Sequence, residues 1–505
     1  MKRLLVKNSV FGLGQAVINL VLVFFIIPVF IKMLGSESYG VFALVMVIGN
    51  LNIFTNLGLS NALVKFVAEQ GKSKESNLDI LVNLFLLTTV IVPFTIVIIY
   101  FNKFILLDLL KIPLDIFKES KWLYIWVVGA NFLLLIGQVL KSVLDALQKI
   151  YITNLQQVVY NILYWGLILA ALLLGYNLPE IGFAVFVSAF VWLIITLLSV
   201  IKEWGKISYA GFRRDFKYAA KKQLSYSLQI YTSGLIGFFY EPLSKILISN
   251  FIGVTEVGFY DIALRLRTQL WGFIAKIFYP LFPFISEQKD KGIIRKYVHD
   301  LEQKTFLVVT PVVVAVILLM HPFIGIWLGK NVNIISITAI FIISFHLLGS
   351  STVIPNYHFL MVKDLAKKTI IIQLFNVVFN TVFFLASVYF LGYYALIIGN
   401  VAAIISSFIL SLYYQKRYLD SLIFDSISQV MKLITVMIIL LAVGFLIKMV
   451  LSGYVILTLI IIPGILILFT LLLYKLFKLV RLEDIYRYFG NNNIISRFLS
   501  SIYNA

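Results

Sequence analysis

Acidic and basic side chains interrupt an apolar stretch in FFYEPLSKILI, residues 238–248. Glu241 and Lys245 are four residues apart, so they share one face if the segment is helical. Asp261 and Arg265 repeat this spacing in the next apolar segment. An ionised group inside a membrane costs at least about 2.5–3.5 kcal/mol on insertion scales, so such groups face protein or water and are candidates for function. Mutual neutralisation within each pair is the alternative role.

Basic residues outnumber acidic ones in this region. The candidate cations are Lys245, Arg265, Arg267 and Lys276, with Lys65 near a cytoplasmic mouth. Four of these bases stand against two acids, which predicts a positive excess if all are ionised. A water-filled cavity lined in this way would attract an anion. The two acids, Glu241 and Asp261, are candidates for coupling the site to H⁺ or Na⁺.

Amide and hydroxyl side chains form stripes that would line the same cavity. Gln15 and Asn19 are four residues apart in the first apolar segment, and Gln229 and Ser233 repeat that spacing in the seventh. Asn61 belongs to the second segment. Amides carry both donors and acceptors, which suits the hydroxyl groups of a sugar. The predicted polar lining therefore consists of Gln15, Asn19, Asn61, Gln229 and Ser233.

Membrane-spanning helices must position these residues. The chain has 505 residues, of which 61% are hydrophobic and 13% charged, and apolar runs of spanning length recur along it. Without cysteine it has no disulfide framework and no thiolate metal site. The expected fold is all-α and polytopic. Fourteen spans are predicted at residues 8–31, 39–64, 79–101, 121–140, 155–174, 180–201, 223–249, 255–285, 305–328, 334–360, 369–391, 394–415, 433–450 and 454–474.

The net charge of +19 raises the alternative of nucleic-acid binding. However, 31 of the 42 Lys and Arg residues fall in connections on one side of the predicted membrane and 7 on the other. This asymmetry is typical of cytoplasmic loops. No long polar segment could build a base-reading surface, so no nucleic acid is expected as a partner. The prediction is a multi-pass protein of a bacterial inner membrane, with an uncleaved first span and both termini in the cytoplasm.

Two self-similarities predict an internal duplication. LGSESYGVF matches IGVTEVGFY and aligns Gly40 with Gly258, while LGYNLPEIG matches LGYYALIIG and aligns Gly182 with Gly399. The offsets are 218 and 217 residues, which favours two parallel six-helix repeats. A preference of tight turns for glycine is the alternative explanation. The predicted domains are residues 1–217, residues 218–429, two further helices within 430–480, and a cytoplasmic tail of residues 481–505.

Three stretches resemble a known family. FGLGQAVINLVLVFFIIPVFIKMLGSESYGVFAL and NLGLSNALVKFVAE are similar to the start of the Wzx-like polysaccharide flippases, and YEPLSKILISNFIGVTEVGFYDIALRL is similar to the start of their second half. These flippases form a branch of the multidrug/oligosaccharidyl-lipid/polysaccharide (MOP) exporter superfamily. The resemblance implies a V-shaped pair of bundles, a cavity with basic residues, and a groove for a lipid tail at the last two spans.

The resemblance also implies a function and partners. The implied substrate is an undecaprenyl-pyrophosphate-linked oligosaccharide, moved across the inner membrane by alternating access for O-antigen, capsule or exopolysaccharide synthesis. Membrane lipid, a polysaccharide polymerase and a chain-length regulator are the implied partners.

Three alternatives stay open. A lipid II flippase would carry the same pyrophosphate. A cation-coupled multidrug exporter usually carries cations, which a positive cavity would repel. A membrane polymerase or ligase would need a large outer loop or a cluster of acids and histidines, and the four histidines lack metal-ligand spacing. We therefore expect a transporter rather than an enzyme, with no metal and no cofactor beyond H⁺ or Na⁺ coupling.

Overall fold

The computed structural model describes residues 2–49, 56, 58–207, 212–275, 285, 290–362, 365–420 and 427–480. Within these ranges the chain forms fifteen α-helices and no strand. Short π-helical and 3₁₀ turns occupy Phe104–Leu109 and Gly392–Tyr394. The helices are α1 Lys2–Gly49, α2 Leu59–Gln70, α3 Lys74–Tyr100, α4 Phe117–Ala146, α5 Ile150–Leu173, α6 Leu178–Trp204, α7 Phe212–Phe238, α8 Tyr240–Phe251, α9 Val254–Ile274, α10 Lys291–Leu328, α11 Val332–Val362, α12 Ala366–Leu391, α13 Ala395–Leu419, α14 Ile427–Val450 and α15 Val455–Leu476.

The described helices confirm an all-α integral membrane protein. Ten segments of the described chain are long and apolar enough to cross a membrane. One of these segments, Lys367–Leu419, includes both α12 and α13. The number of fourteen spans stays a prediction.

Several helices extend beyond the predicted spans. Hydropathy places the start of the seventh span at residue 223, but α7 begins at Phe212. Likewise, α10 begins at Lys291 rather than at residue 305. The chain between these predicted spans therefore contains helical ends. Hydropathy detects the apolar middle of a helix and not a polar end that continues into water.

Contacts divide the chain into two compact units, Met1–Asp261 (unit 1) and Ile262–Ala505 (unit 2). In unit 1, α4 packs along α6 and α1 packs along α5. An aliphatic core in unit 1 joins α2, α3, α4 and α6 through residues such as Leu63, Leu87 and Val143. In unit 2, α12 packs along α13 and α10 along α11. The predicted domain boundaries stay a prediction.

Two breaks in the helices shape unit 1. Gly35 interrupts α1 with φ 84° and ψ 167°, a conformation that glycine adopts without steric penalty. The chain turns there between the first two predicted spans. Phe239 separates α7 from α8 because Pro242 has no N–H to donate to the carbonyl of Phe238, and its ring would clash with that carbonyl. Regular bonding resumes where the Leu243 nitrogen donates to the Phe239 oxygen at 3.0 Å.

Candidate functional site

A buried ion pair joins α8 to α9 in unit 1. The Nζ of Lys245 lies 2.6 Å from Oδ1 of Asp261, and these residues are 8% and 4% exposed. The other carboxylate oxygen of Asp261 accepts a hydrogen bond of 2.7 Å from the hydroxyl group of Tyr39 on α1. Tyr39, Lys245 and Asp261 are named the Tyr39 cluster below. The cluster holds three helices together by charge and hydrogen bonding, away from water.

Two glycines allow α1 and α9 to approach each other beside the Tyr39 cluster. A Cβ atom on Gly40 would overlap the carbonyl oxygen of Val254, the first residue of α9. A Cβ atom on Gly258 would lie 3.3 Å from the Gly40 nitrogen. Gly40 and Gly258 are the positions that the self-similarity aligns. The aligned positions are therefore in direct contact, where neither helix has room for a side chain.

The cross-helix pair differs from the pairs that local spacing suggests. Four-residue spacing favours Glu241 with Lys245 and Asp261 with Arg265. In the structure Lys245 instead lies against Asp261, which is sixteen residues later and on another helix. Glu241 is half-buried in the first turn of α8. An intrahelical pair would stabilise one helix, whereas this pair links two.

The other predicted cations are distributed over several helices. Arg265 is half-buried and Arg267 is buried, both on α9. Lys276 lies outside the described residues. Lys65 on α2 is half-buried, and its Nζ is 4.1 Å from the ring centroid of Tyr226 on α7. That geometry is a cation–π contact. The predicted common surface of all these cations stays a prediction.

The predicted polar lining is described only in part. Gln15 and Asn19 are half-buried on α1, and Asn61 is exposed on α2. The side chains of Gln229 and Ser233 lie outside the described residues, although their backbone belongs to α7. The predicted meeting of the stripes of the first and seventh spans therefore stays a prediction.

A second buried polar cluster in unit 1 was not predicted from the sequence. Asp79 on α3 accepts hydrogen bonds from Lys222 Nζ at 2.8 Å, from Gln223 Nε2 at 3.2 Å and from Gln70 Nε2 at 3.2 Å. Asn83, one turn further along α3, donates to Gln223 Oε1 at 2.8 Å. These five residues are named the Asp79 cluster below. They connect the start of α7 to α2 and α3.

The two clusters lie at opposite ends of unit 1. Lys222 and Lys245 are separated by 23 residues of α7 and α8, which corresponds to at most roughly 35 Å along a helix. The Tyr39 cluster is near the Gly35 turn, and the Asp79 cluster is near the Gly71 turn between α2 and α3. Hydropathy places Asp79 and Lys222 at span ends, where charge is common. Their contact across 143 residues has no signature in local spacing.

Unit 2 contains an apolar cavity of about 340 Å³. It is bounded by α10, α11, α13 and α14. Its walls include Phe306, Phe345, Phe408 and Met437. A cavity of this size and chemistry fits a chain of hydrocarbon. The helix of the thirteenth predicted span contributes to it, and the resemblance had implied a lipid groove at the last two spans.

Comparisons with known proteins agree with this architecture. The family described as "Polysaccharide biosynthesis protein" matches residues 5–289. A protein of Shigella flexneri named "Putative O-antigen transporter" is 23% identical over 355 residues, which cover 68% of this chain and 81% of that protein.

Solved structures share the fold. "Lipid II flippase MurJ, inward closed conformation" gives a TM-score of 0.74 at 16% identity and covers 95% of this chain and 99% of that chain. An inward-facing multidrug resistance MATE family transporter of the MOP superfamily gives 0.59 at 14% identity and covers 82% and 98%. The expected MOP transporter fold is thereby confirmed.

Proposed function

We propose that this chain, which belongs to the polysaccharide biosynthesis protein family, is a flippase for undecaprenyl-pyrophosphate-linked oligosaccharide repeat units. The final polymer would be O-antigen, capsule or exopolysaccharide. The name of the Shigella relative and the fold shared with a lipid II flippase support this proposal. We place the protein in a bacterial inner membrane with both termini in the cytoplasm, where it acts on lipid-linked oligosaccharide among membrane lipids. A polymerase and a chain-length regulator would act after it.

The observation that carries the proposal is the presence of buried charge at both ends of unit 1. In the proposed topology the Tyr39 cluster lies toward the outer face and the Asp79 cluster toward the cytoplasm. A purely structural contact gains little from ions, because replacing a buried ion pair by well-packed apolar residues is often neutral or stabilising. Charged groups can, however, open to water and re-form. They therefore suit the two ends of a transporter that open in turn.

The proposed mechanism is alternating access through these two clusters. Opening the Asp79 cluster would admit the headgroup from the cytoplasm, and opening the Tyr39 cluster would release it outside. A pyrophosphate–sugar headgroup cannot cross hydrocarbon without a polar, hydrated route. This assignment makes transport, and not covalent chemistry, the activity of the chain.

Basic residues of α8 and α9 would contact the phosphates. A guanidinium has five donors in a planar fork, so Arg265 and Arg267 each retain donors for phosphate while holding another partner. Lys245 becomes a further cation when its pair with Asp261 opens. Lys276 and Lys65 complete the proposed cation set. The sugar would be contacted by Gln15, Asn19, Asn61, Gln229 and Ser233.

The lipid tail would occupy the apolar cavity of unit 2. Its walls of phenylalanine, aliphatic side chains and methionine offer a prenyl chain the same environment as the bilayer. Ion coupling would act through Asp261 or Glu241. Protonation of Asp261 would remove the partner of Lys245, and the cation would then be released toward the headgroup.

Flipping in proteoliposomes tests the proposal. Purified protein is reconstituted with a fluorescent undecaprenyl-pyrophosphate oligosaccharide, and the labelled lipid that reaches the opposite leaflet is measured with a membrane-impermeant quencher. We expect protein-dependent flipping that falls at least about tenfold in Arg265→Ala, as expected for the loss of a charge-assisted phosphate contact. Arg214→Ala, which changes an exposed arginine of α7, is the matched control.

Parallel substrates decide between related functions. Lipid II and a cationic dye are tested in the same vesicles. Faster flipping of lipid II than of the oligosaccharide lipid would identify a lipid II flippase, and transport of the dye alone would identify a multidrug exporter. Absence of flipping for both lipids would contradict the proposal.

A further inference from the structure

Unit 2 contains a completely buried carboxylate that belongs to neither the Tyr39 cluster nor the Asp79 cluster. Glu302 on α10 is 0% exposed. Both of its oxygens accept from one donor, Nε2 of Gln415 on α13, at 2.9 and 3.0 Å. No lysine or arginine of the described ranges forms an ion pair with it. A buried negative charge served by a single neutral amide is unfavourable, and binding a proton removes the charge.

The partner of this carboxylate has an unused acceptor. Gln415 is 1% exposed, and its Oε1 has no hydrogen-bond partner among the described residues. In the present arrangement the amide donates to a carboxylate. After a half-turn of the amide, Oε1 would accept from a protonated carboxyl group, and no other bond of Oε1 would have to break. Each protonation state of Glu302 can therefore form a hydrogen bond with the Gln415 amide.

Polar groups continue from Gln415 along the contact of α11 with α13. Asn356 Nδ2 donates to the carbonyl and hydroxyl oxygens of Ser411 at 3.0 and 2.9 Å. The same 55-residue offset places Thr352 level with Ser407, one turn further on. Asn356 Oδ1 and the hydroxyl oxygens of Thr352 and Ser407 are buried and lack partners within the described chain. A row of buried polar atoms without hydrogen-bond partners among the described residues thus extends from Glu302 into the interface between α11 and α13.

The row ends at the apolar cavity. Gly349 on α11 and Ile404 on α13 are again 55 residues apart, and a Cβ on Gly349 would meet the Ile404 side chain at 2.5 Å. Both residues line the cavity. A change in the packing of α11 against α13 would therefore act on the cavity and on the surroundings of Glu302 together.

Titratable side chains also lie on α10 near Glu302 and on the helices packed around this core. On α10, Asp300 pairs with Lys304, and His299 contacts Gln303. Further titratable groups belong to the helices packed around this core. They are His358 beside Tyr357 on α11, Lys368 of α12 at 5.8 Å from the ring centroid of Tyr414, Arg417 bonded to Tyr413 on α13, Lys432 on α14, and Tyr474 of α15 bonded to the Leu307 carbonyl.

We propose that Glu302 and Gln415 form a proton-binding site, and that its protonation is linked to the packing of α11 against α13 around the apolar cavity. The proton-binding site is inferred from the geometry of Glu302 and Gln415 alone. The link to transport rests on the proposed flippase function. It adds an ion-coupling group in unit 2 to the two candidates, Glu241 and Asp261, that the sequence offers in unit 1.

Infrared difference spectroscopy of the purified full-length protein tests the site without a substrate. The pH is titrated, and the carboxylic C=O band of a carboxyl group shielded from water is followed. We expect one component of this band to be present in the wild type and in Asp300→Asn, which changes the neighbouring partly exposed carboxylate, and to be absent in Glu302→Gln. The buried Asp79 and Asp261 are unchanged in all three proteins. Gln415→Met removes the donor to the carboxylate, so the band should persist to higher pH than in the wild type. Gln415→Met also tests the site if the Glu302→Gln variant does not fold. Identical titrations of the wild type and both variants would overturn the site.

Flipping rates then test the link to transport. The rate is measured in proteoliposomes with the fluorescent oligosaccharide lipid. For one obligatory proton, the wild-type flipping rate should change roughly tenfold per pH unit on one side of the pH midpoint at which the infrared band titrates. Glu302→Gln should be insensitive to pH over the same range. Identical pH profiles would overturn the coupling and leave the flippase function in place. No flipping by any variant would refute the proposed function, while the infrared titration would still decide the proton site.

Discussion

Two lysine–aspartate pairs of unit 1, one in the Tyr39 cluster and one in the Asp79 cluster, have the same chemistry and different surroundings. In the Tyr39 cluster the side chains of Lys245 and Asp261 are 10% and 5% exposed. In the Asp79 cluster the carboxylate is equally buried, but the Lys222 side chain is 24% exposed. Lys222 also lies 4.1 Å from the centroid of the Phe66 ring, and the amides of Gln70 and Gln223 share its carboxylate.

If the two ends of unit 1 open in turn, as proposed, this difference predicts which end opens more easily. Breaking the Tyr39 cluster leaves a lysine whose side chain is almost completely shielded from solvent. Breaking the Asp79 cluster leaves a lysine that already reaches water and an aspartate that keeps amide donors. Because a desolvated charge depends much more on its partner than a hydrated one, the Tyr39 cluster should be the tighter closure.

Removal of Asp261 should have the largest effect. Asp261→Ala leaves Lys245 buried without its carboxylate and the Tyr39 hydroxyl without its acceptor, so we expect a loss of about 3–5 kcal/mol in the free energy of unfolding. Thermal unfolding in detergent measures it. Tyr39→Phe, which keeps the ion pair, should lose only about 1 kcal/mol. Lys245→Met combined with Asp261→Leu should recover most of the stability, and a double variant as unstable as Asp261→Ala would refute this account.

Adding a methyl group at Gly40, beside the Tyr39 cluster, should cause the second-largest loss in the free energy of unfolding. Gly40→Ala places a methyl group against the Val254 carbonyl, so α1 and α9 must separate, with an expected cost of about 3 kcal/mol. Gly14→Ala is the control on the same helix, because Gly14 is exposed and has no neighbouring atom within 4 Å of the added carbon. Its unfolding temperature should stay equal or rise slightly. Equal effects of the two substitutions would show that the close approach of α1 and α9 is unimportant.

Asp79→Asn should have a smaller effect than Asp261→Ala. The asparagine keeps the shape of the side chain, and Lys222 can turn toward water, so we expect a loss of about 2 kcal/mol. The same unfolding measurement applies. Asp215→Asn changes the partner of an exposed arginine on α7 and should cause no measurable change. A loss at Asp79 that matched the loss at Asp261 would remove the distinction between the two closures.

The exposed ion pair of Lys291 with Asp420 should contribute less stability than the ion pairs of the Tyr39 cluster and the Asp79 cluster. The hydrogen bond from Lys291, and then its charge, lower the pKa of Asp420. A lowered carboxyl pKa gives stability that is present above the ordinary aspartate range and is lost as the pH falls through the lowered value.

Asp420→Asn should therefore lower the unfolding temperature slightly at neutral pH, and the difference should vanish in acid and shrink with salt. Asparagine tolerates the φ of 52° at this position, so backbone strain does not confuse the result. A difference that grew in acid would contradict the assignment.

Much of the fold could be predicted because hydropathy and helix length are local properties. Segments 433–450 and 454–474 are predicted, and α14 Ile427–Val450 and α15 Val455–Leu476 are found. Polar ends were missed where a helix continues past the membrane, as at Phe212. In the candidate site, Lys245 and Asp261 could be singled out from the sequence because they are charged residues within predicted membrane spans. It did not identify Tyr39 or the Asp79 cluster, whose residues look ordinary in their local context.

The sequence by itself determined that this chain is an all-α membrane protein, because burying backbone polar groups in lipid leaves helices as the structure for long apolar segments of this kind. Which charges meet was decided only by the tertiary structure. Lys245 has an acid four residues away on its own helix, yet Asp261 from α9 approaches it, and Lys222 meets Asp79 across 143 residues. The physical reason is that an ion pair depends on a separation of a few ångströms and on desolvation by packed neighbours, and both arise from how helices distant in sequence come together.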